Sequence, residues 1–382
     1  LNQRLDTPFI KYNGKFDKAS WKEVNNIIQS KIKNTDNKKI CGISGDLTNM
    51  ETLYVFKEFF NRCLNSTNIE SRSDHSYLNV EKRENYLFNS TIKNIEESDF
   101  IFLIGSNPRY EATILNARIR KSYLQNKTKI ISLNDLGDLT YPYINLNGNT
   151  EEIKEIIEDR HKVSKIIKDS KKPLIILGQS ILSTKPGKYI FESIKSFLKK
   201  NNKITDEWNS LNLIYENAST IGSFDLGIYK TNDGYNQILK DLEDHKFEIV
   251  YLLGQDSLKF KKQNEFIIYQ GSHGDKGAEI ADIILPGAAY TEQNGYYTNL
   301  EGKLQRAYKA SYPPGDAKED WQIINNLAEL INGKKLFKNR DELESSMINY
   351  INLYKKNNLL KKNNDIKNLD FISENIKINK ID

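Results

Sequence analysis

Three glycine-bearing loops fall within one window of the sequence. They are Gly271-Ser272-His273-Gly274-Asp275-Lys276-Gly277, the run from Ala281 to Tyr290 that turns at Pro286-Gly287, and Thr298-Asn299-Leu300-Glu301-Gly302-Lys303. Glycine lets a backbone approach phosphate, and ligands sit where parallel strands end, so loops of this kind could cradle a phosphorylated cofactor. The plainer reading is that each glycine only turns the chain. Neither GxGxxG nor GxxxxGK[ST] follows any strand-like run, which favours that plainer reading.

Redox chemistry needs ligands that this sequence does not offer. An iron–sulfur cluster is held by four protein ligands, usually thiolates, and only Cys41 and Cys63 are present. The four histidines, His75, His161, His245 and His273, stand far apart with no HxxxH spacing, so no closed zinc site is expected. Three of the ten arginines, Arg109, Arg118 and Arg120, fall within twelve residues. They read equally well as a contact for an acidic partner and as a solvated helix face. Tyr290, Tyr296, Tyr297 and Trp321 read as core or rim packing rather than as interface aromatics.

The elements that must position these residues follow one grammar: an apolar strand, a glycine, a polar turn and often a helix. It appears at Lys38 to Gly45, Phe100 to Gly105, Leu174 to Gly178 and Ile249 to Gly254. Further short strands are expected at Lys129–Leu133, Asn212–Tyr215, Phe266–Tyr269 and Asp282–Leu285. Thr7 to Ile10 should be extended, with a turn at Asn13-Gly14. Ser20 with Glu23 forms a capping box for a helix from Trp21 to about Lys33, and Thr48 with Glu51 forms a second. Asn107 suits an N-cap and Pro108 the first helical position. Strands alternating with helical patterns imply doubly wound, mainly parallel α/β sheets. From Lys334 onward the sequence turns Lys/Asn-rich; a helix is expected over Asp341–Tyr354, and the last 25 or so residues read as a peripheral tail.

Composition narrows the function classes. The 56 basic and 51 acidic residues leave a formal charge of +5, and 46 of the basic residues are scattered lysines. A nucleic-acid surface instead clusters arginine forks with stacking aromatics. No apolar run approaches the roughly 20 residues needed to span a bilayer, so membrane association is expected only through a partner. The sequence begins at Leu1, without an initiator Met or a cationic, Ser-rich leader, and is expected to be a processed product or a fragment.

The glycine window resembles the molybdopterin oxidoreductase superfamily, whose members share an A-D-[VI]-[VI]-L-P strand and a [TN]-N-x-E-G-R turn. Within it, the sequence resembles the large iron–sulfur subunit of complex I. The matching residues are Tyr269-Gln270-Gly271-Ser272-His273-Gly274-Asp275, Ala281 to Glu292 and Leu300-Glu301-Gly302-Lys303. Upstream, Ile104 to Arg109 with Asn116 to Lys121, Asp138 to Pro142, and Pro313-Pro314-Gly315 with Glu319-Asp320-Trp321 also fit, so the resemblance covers most of residues 1–330. Lys303 replaces the family's usual arginine, which puts a bidentate phosphate contact there in doubt.

By resemblance, residues 1–35 are a lead-in with the first helix, 36–75 plus 205–332 build one doubly wound unit, and 85–203 form an inserted second unit. Residues 333–382 follow as a helical or irregular tail. The strand pattern by itself equally supports two consecutive halves divided near residue 148. The resemblance implies a non-catalytic part of the complex I peripheral arm that packs with the cluster-bearing, ferredoxin-like half, which lies on another chain or outside this sequence. It implies no cofactor here, with iron–sulfur clusters and FMN in partner subunits. The pterin-cleft positions Gly271, His273, Gly274, Asp275, Thr298, Asn299, Glu301 and Gly302 would be vestigial. Other complex I subunits would be the partners, on the matrix side of the mitochondrial inner membrane or the bacterial cytoplasmic face. The alternative that the resemblance implies is a molybdopterin-dependent oxidoreductase subunit, with His273 as an acid or base and Thr298, Asn299 and Glu301 at the pterin.

Overall fold

The computed structural model describes residues 4–358, 371–378 and 380. Two compact units emerge: of the described residues, 4–75, 217–299 and 303–357 form the first, and 76–216, 300–302, 358, 371–378 and 380 the second. The first unit therefore reaches further than the expected 36–75 and 205–332. It takes in the lead-in, the first helix and residues 334–357, because side chains from all of these enter its core.

The first sheet has seven strands in the order Lys15–Lys18, Phe9–Tyr12, Ile283–Pro286, Phe266–Gly271, Ile249–Leu253, Ile40–Ser44, Ile69–Glu70. The last five are mutually parallel, and an N-terminal hairpin adds antiparallel strands at the edge. Its turn is the expected Asn13-Gly14, both at positive φ, as a two-residue hairpin requires. Ile40–Ser44 and Ile249–Leu253 are buried along their whole length, which is why they read as continuous apolar runs. On one face lies a core of Val24, Ile28, Phe56, Phe60, Ile324 and Leu327. On the other lie Ile43, Ile238, Leu242 and Leu252.

The helix Trp21–Lys33 begins with the expected capping box of Ser20 and Glu23. The second expected box does not form. Asn49 caps Met50–Glu58 by accepting from the Thr52 amide, while the Thr48 hydroxyl turns to the Leu253 carbonyl. Glu51 is withdrawn into the core, where Arg340 meets it. A tertiary ion pair thus overrides a local cap.

The segment expected to be peripheral after residue 333 also differs. Phe337, Leu343, Met347 and Ile351 are buried in the first core, and the helix Arg340–Asn358 carries the last three on one face. Three apolar positions four apart form a narrow stripe, easily lost among lysines and asparagines. Most of the expected 25-residue tail lies outside the described residues. Of the part described, Asn375 bridges Asn149 and Ile376 is buried in the second unit.

The second unit has a wholly parallel five-stranded sheet, ordered Ile144–Asn145, Lys129–Ser132, Phe100–Ile104, Pro173–Gly178, Leu211–Ile214. Where its two central strands end, Gly105 sits at φ +66 and its carbonyl oxygen lies 2.0 Å from where a Cβ on Gly178 would stand. Two of the recurrent strand-end glycines are thus partners of each other.

Candidate functional site

The other two strand-end glycines meet in the first unit. Gly254 adopts φ +60, and its carbonyl oxygen lies 1.7 Å from the position a Gly45 Cβ would take. The same device closes the centre of both sheets. Around Gly254, at the carboxyl ends of the parallel strands, opens a cleft of about 360 Å³. This is the ligand position of doubly wound sheets, beside the central strand where the winding reverses.

Aspartates dominate its polar lining: Asp46, Asp256, Asp275 and Asp320, with His273 and the exposed Tyr290. Neutral donors satisfy three of the carboxylates. Asp46 accepts from Asn217 (2.8 Å) and Ser257 (3.0 Å). Asp256 accepts from the Gly277 amide (2.9 Å) and the Tyr269 hydroxyl (3.0 Å). Asp320 accepts from the side-chain amides of Gln270 (2.8 Å) and Gln293 (2.7 Å). Among the described residues, neither lysine nor arginine lines the cleft. Arg4, whose charge reaches Asp320, is itself paired with Glu292.

Burial raises the carboxyl pKa of Asp46 and Asp256, and carries that of Asp320 to about 6 against the pull of its amide donors. The folded chain therefore binds the Asp320 proton more tightly than the unfolded chain does. Its stabilisation is complete below about pH 4 and is lost as pH rises through about 6. Urea midpoints of the wild type should fall relative to those of Asp320→Asn across that window. Parallel pH profiles would show that Asp320 keeps an ordinary acidity.

The structure brings together Gly271, His273 and Asp275 at the cleft, with Gly274 buried between the last two. It does not bring the remaining sequence candidates there. Thr298 is buried with its hydroxyl against Met50 Sδ (3.1 Å), and Asn299 accepts from the Lys303 amide. Glu301 and Gly302 group with the second unit. There the Glu301 carboxylate accepts from the Ile92 amide and the Gly302 carbonyl from Arg83.

The three arginines also have partners within the second unit. Arg109 pairs with Asp138, Arg118 with Glu96, and Arg120 donates to the Thr140 carbonyl. Tyr290 is exposed, Tyr297 donates to the Leu47 carbonyl, and Trp321 is buried. Asp46, Asp256 and Asp320 were not singled out from the sequence. Their common signal, an aspartate within two residues of a strand-end glycine, holds only for Asp46 and Asp256.

Residues 4–330 match the family model described as Molybdopterin oxidoreductase. The chain belongs to the molybdopterin oxidoreductase family. The NADH-ubiquinone oxidoreductase 75 kDa subunit of Reclinomonas americana is 37% identical over 394 residues, covering 97% of this chain and 57% of that one. A subunit of the NADH-quinone oxidoreductase of Rickettsia bellii is 39% identical, covering 90% and 49%. The mitochondrial NADH-ubiquinone oxidoreductase 78 kDa subunit of Candida albicans is 38% identical, covering 87% and 45%. The chain thus spans about half the length of the curated relatives it matches. Among solved structures, acetylene hydratase from Pelobacter acetylenicus superposes with a TM-score of 0.54 at 14% identity, covering 92% of this chain and 66% of that one. A chain of the formyltransferase/hydrolase complex of Methylorubrum extorquens gives 0.60 at 10%, covering 85% and 98%. At these identities the likeness is one of fold.

The cofactor after which the family is named is a phosphorylated pterin, and the cleft residues do not fit it. Phosphate needs free amides or cations. Of the glycine amides in and beside the cleft, that of Gly254 donates to the Gln270 carbonyl, that of Gly45 to Leu253 and that of Gly287 to Gly271. The Gly277 amide is taken by the Asp256 carboxylate, an anion built into the chain. Four aspartates would repel a phosphate rather than seat it.

Proposed function

We propose that this chain is the cluster-free, non-catalytic half of the large iron–sulfur subunit of complex I. It packs with the cluster-bearing half and supports the peripheral arm that carries electrons from NADH to ubiquinone. Iron–sulfur clusters and FMN belong to partner subunits in this reading. Its place is the matrix side of the mitochondrial inner membrane, or the cytoplasmic face in a bacterium. No described helix is long and apolar enough to cross a membrane, and attachment through partners accords with that.

The observation that carries the reading is the acidic cleft, lined by four aspartates and, among the described residues, by neither lysine nor arginine. The thiols agree with it: Cys41 is fully buried, with its pKa well raised by desolvation, and Cys63 is raised by burial to about 11. Burial thus favours the neutral thiol at both positions.

Three measurements test the proposal. Metal analysis of the purified chain should find no stoichiometric molybdenum or tungsten, and its electron paramagnetic resonance spectrum after dithionite should lack a cluster signal. Fractionated membranes should carry the chain with NADH-oxidising activity. Stoichiometric molybdenum would instead establish the rival reading, a molybdopterin-dependent oxidoreductase subunit. Recovery chiefly outside the NADH-oxidising assembly would overturn both the partners and the location.

A further inference from the structure

The helix Thr113–Asn126 carries exposed apolar side chains opposite its buried face. Inward it buries Leu115, Asn116, Ile119 and Ser122 against the second sheet. Outward it leaves Ile114 73% and Leu124 50% exposed, with Ala117 between them and Tyr110 64% exposed one turn upstream. Ile114, Ala117, Lys121 and Leu124 follow one another at spacings of three, four and three. That is the a/d spacing of a helix that packs along a second helix. Arg118 and Arg120 then occupy the flanking positions, one on each side, where such pairs place their charges.

The charge around this ridge is one-sided. The helix and its left-handed C-cap carry Arg118, Arg120, Lys121 and Lys127. Arg118 and Lys121 share a single carboxylate, Glu96. Arg120 reaches a backbone carbonyl at 3.3 Å, and Lys127 lies over the Tyr123 ring. Among the described residues, four cations thus face one carboxylate. We propose that the outward face of this helix docks an amphipathic helix of another polypeptide, one with an apolar ridge bordered by glutamate or aspartate. A second copy of this chain is the wrong occupant, because it would set Arg118, Arg120 and Lys121 against their own kind. The proposal stands apart from the assembly named above, since it is read on the full chain by itself.

The test uses two fluorescent helical peptides of about three heptads, with leucine at every a and d position. One carries glutamate at every e and g position and the other carries lysine. Anisotropy titrations with the full chain should show the glutamate peptide binding tighter by on the order of tenfold or more, with affinity falling as salt is added. The double substitution Ile114→Asp with Leu124→Asp should abolish binding, and Arg118→Glu with Arg120→Glu should reverse the preference. The Ile114/Leu124 variant should keep the wild-type melting temperature within a few degrees, because both altered side chains face outward. Equal affinity for the two peptides, or no binding of the glutamate peptide at about 1 mM, would overturn the proposal. So would unchanged binding by the Ile114/Leu124 variant, or salt-sensitive self-association of the chain through this face.

Discussion

Arg340→Ala is expected to destabilise the first unit by about 3–5 kcal/mol, the usual cost of leaving buried charge without its partner. The guanidinium meets three carboxylates: Glu51 at 3.1 Å, Glu319 at 3.0 Å and Glu344 at 2.8 Å. A fourth bond reaches the Asn294 carbonyl at 2.7 Å. Glu51 is almost wholly inaccessible, and burial already raises its pKa against the pull of Arg340 and of the Tyr296 amide. Without the arginine, Glu51 must take up a proton or draw water inward, and the anchor of the helix Arg340–Asn358 goes with it. Urea unfolding would show the loss directly. Adding Glu51→Gln to the variant should recover a substantial part of it, since the orphaned charge is then gone. Arg340→Lys should fall between, because an ammonium lacks the fork that spans three carboxylates. A loss below about 1 kcal/mol would mean that this network is no more than an exposed ion pair.

Gly45→Ala is expected to cost at least about 3 kcal/mol, at the severe end of overpacking, because the new methyl meets a backbone carbonyl rather than a flexible side chain. The Gly254 oxygen lies 1.7 Å from the position that methyl would take, and both residues end adjacent central strands. Gly254→Ala makes the useful comparison. Its Cβ would meet nothing nearer than the Thr48 hydroxyl at 3.8 Å, so only the positive φ penalises it, by about 1–2 kcal/mol. The expected ranking in thermal or urea unfolding is therefore Gly45→Ala well above Gly254→Ala. The opposite ranking would mean that the strand ends can separate. The glycine would then be free for an approaching ligand, as the cofactor-cradle reading requires.

Much of the fold was legible in the sequence because parallel strands buried on both faces have little choice of residue. Phe100–Ile104 and Ile249–Leu253 lie at the expected positions, and the Ser20 capping box and the Asn107 cap depend only on neighbours in the chain. The family was legible for a related reason: its loops are short and nearly contiguous in sequence, so a linear reading captures them. Local chemistry was a poorer guide where tertiary partners compete. Glu51 has the spacing of a cap yet serves a buried ion pair with a residue 289 positions away.

The glycines show the division most clearly. By itself the sequence determined that each of Gly45, Gly105, Gly178 and Gly254 follows an apolar strand, and that Cys41 and Cys63 are its two thiols. It could not determine which glycines meet, because strand order is set by how sheets wind and not by the order of residues. Only the tertiary structure paired Gly45 with Gly254 and Gly105 with Gly178. Likewise, only folding gathered Asp46, Asp256, Asp275 and Asp320 into one cleft and sent Glu301 to the other unit. The sign of a site's potential is a sum over charges distant in sequence, and it exists only once the chain has brought them together.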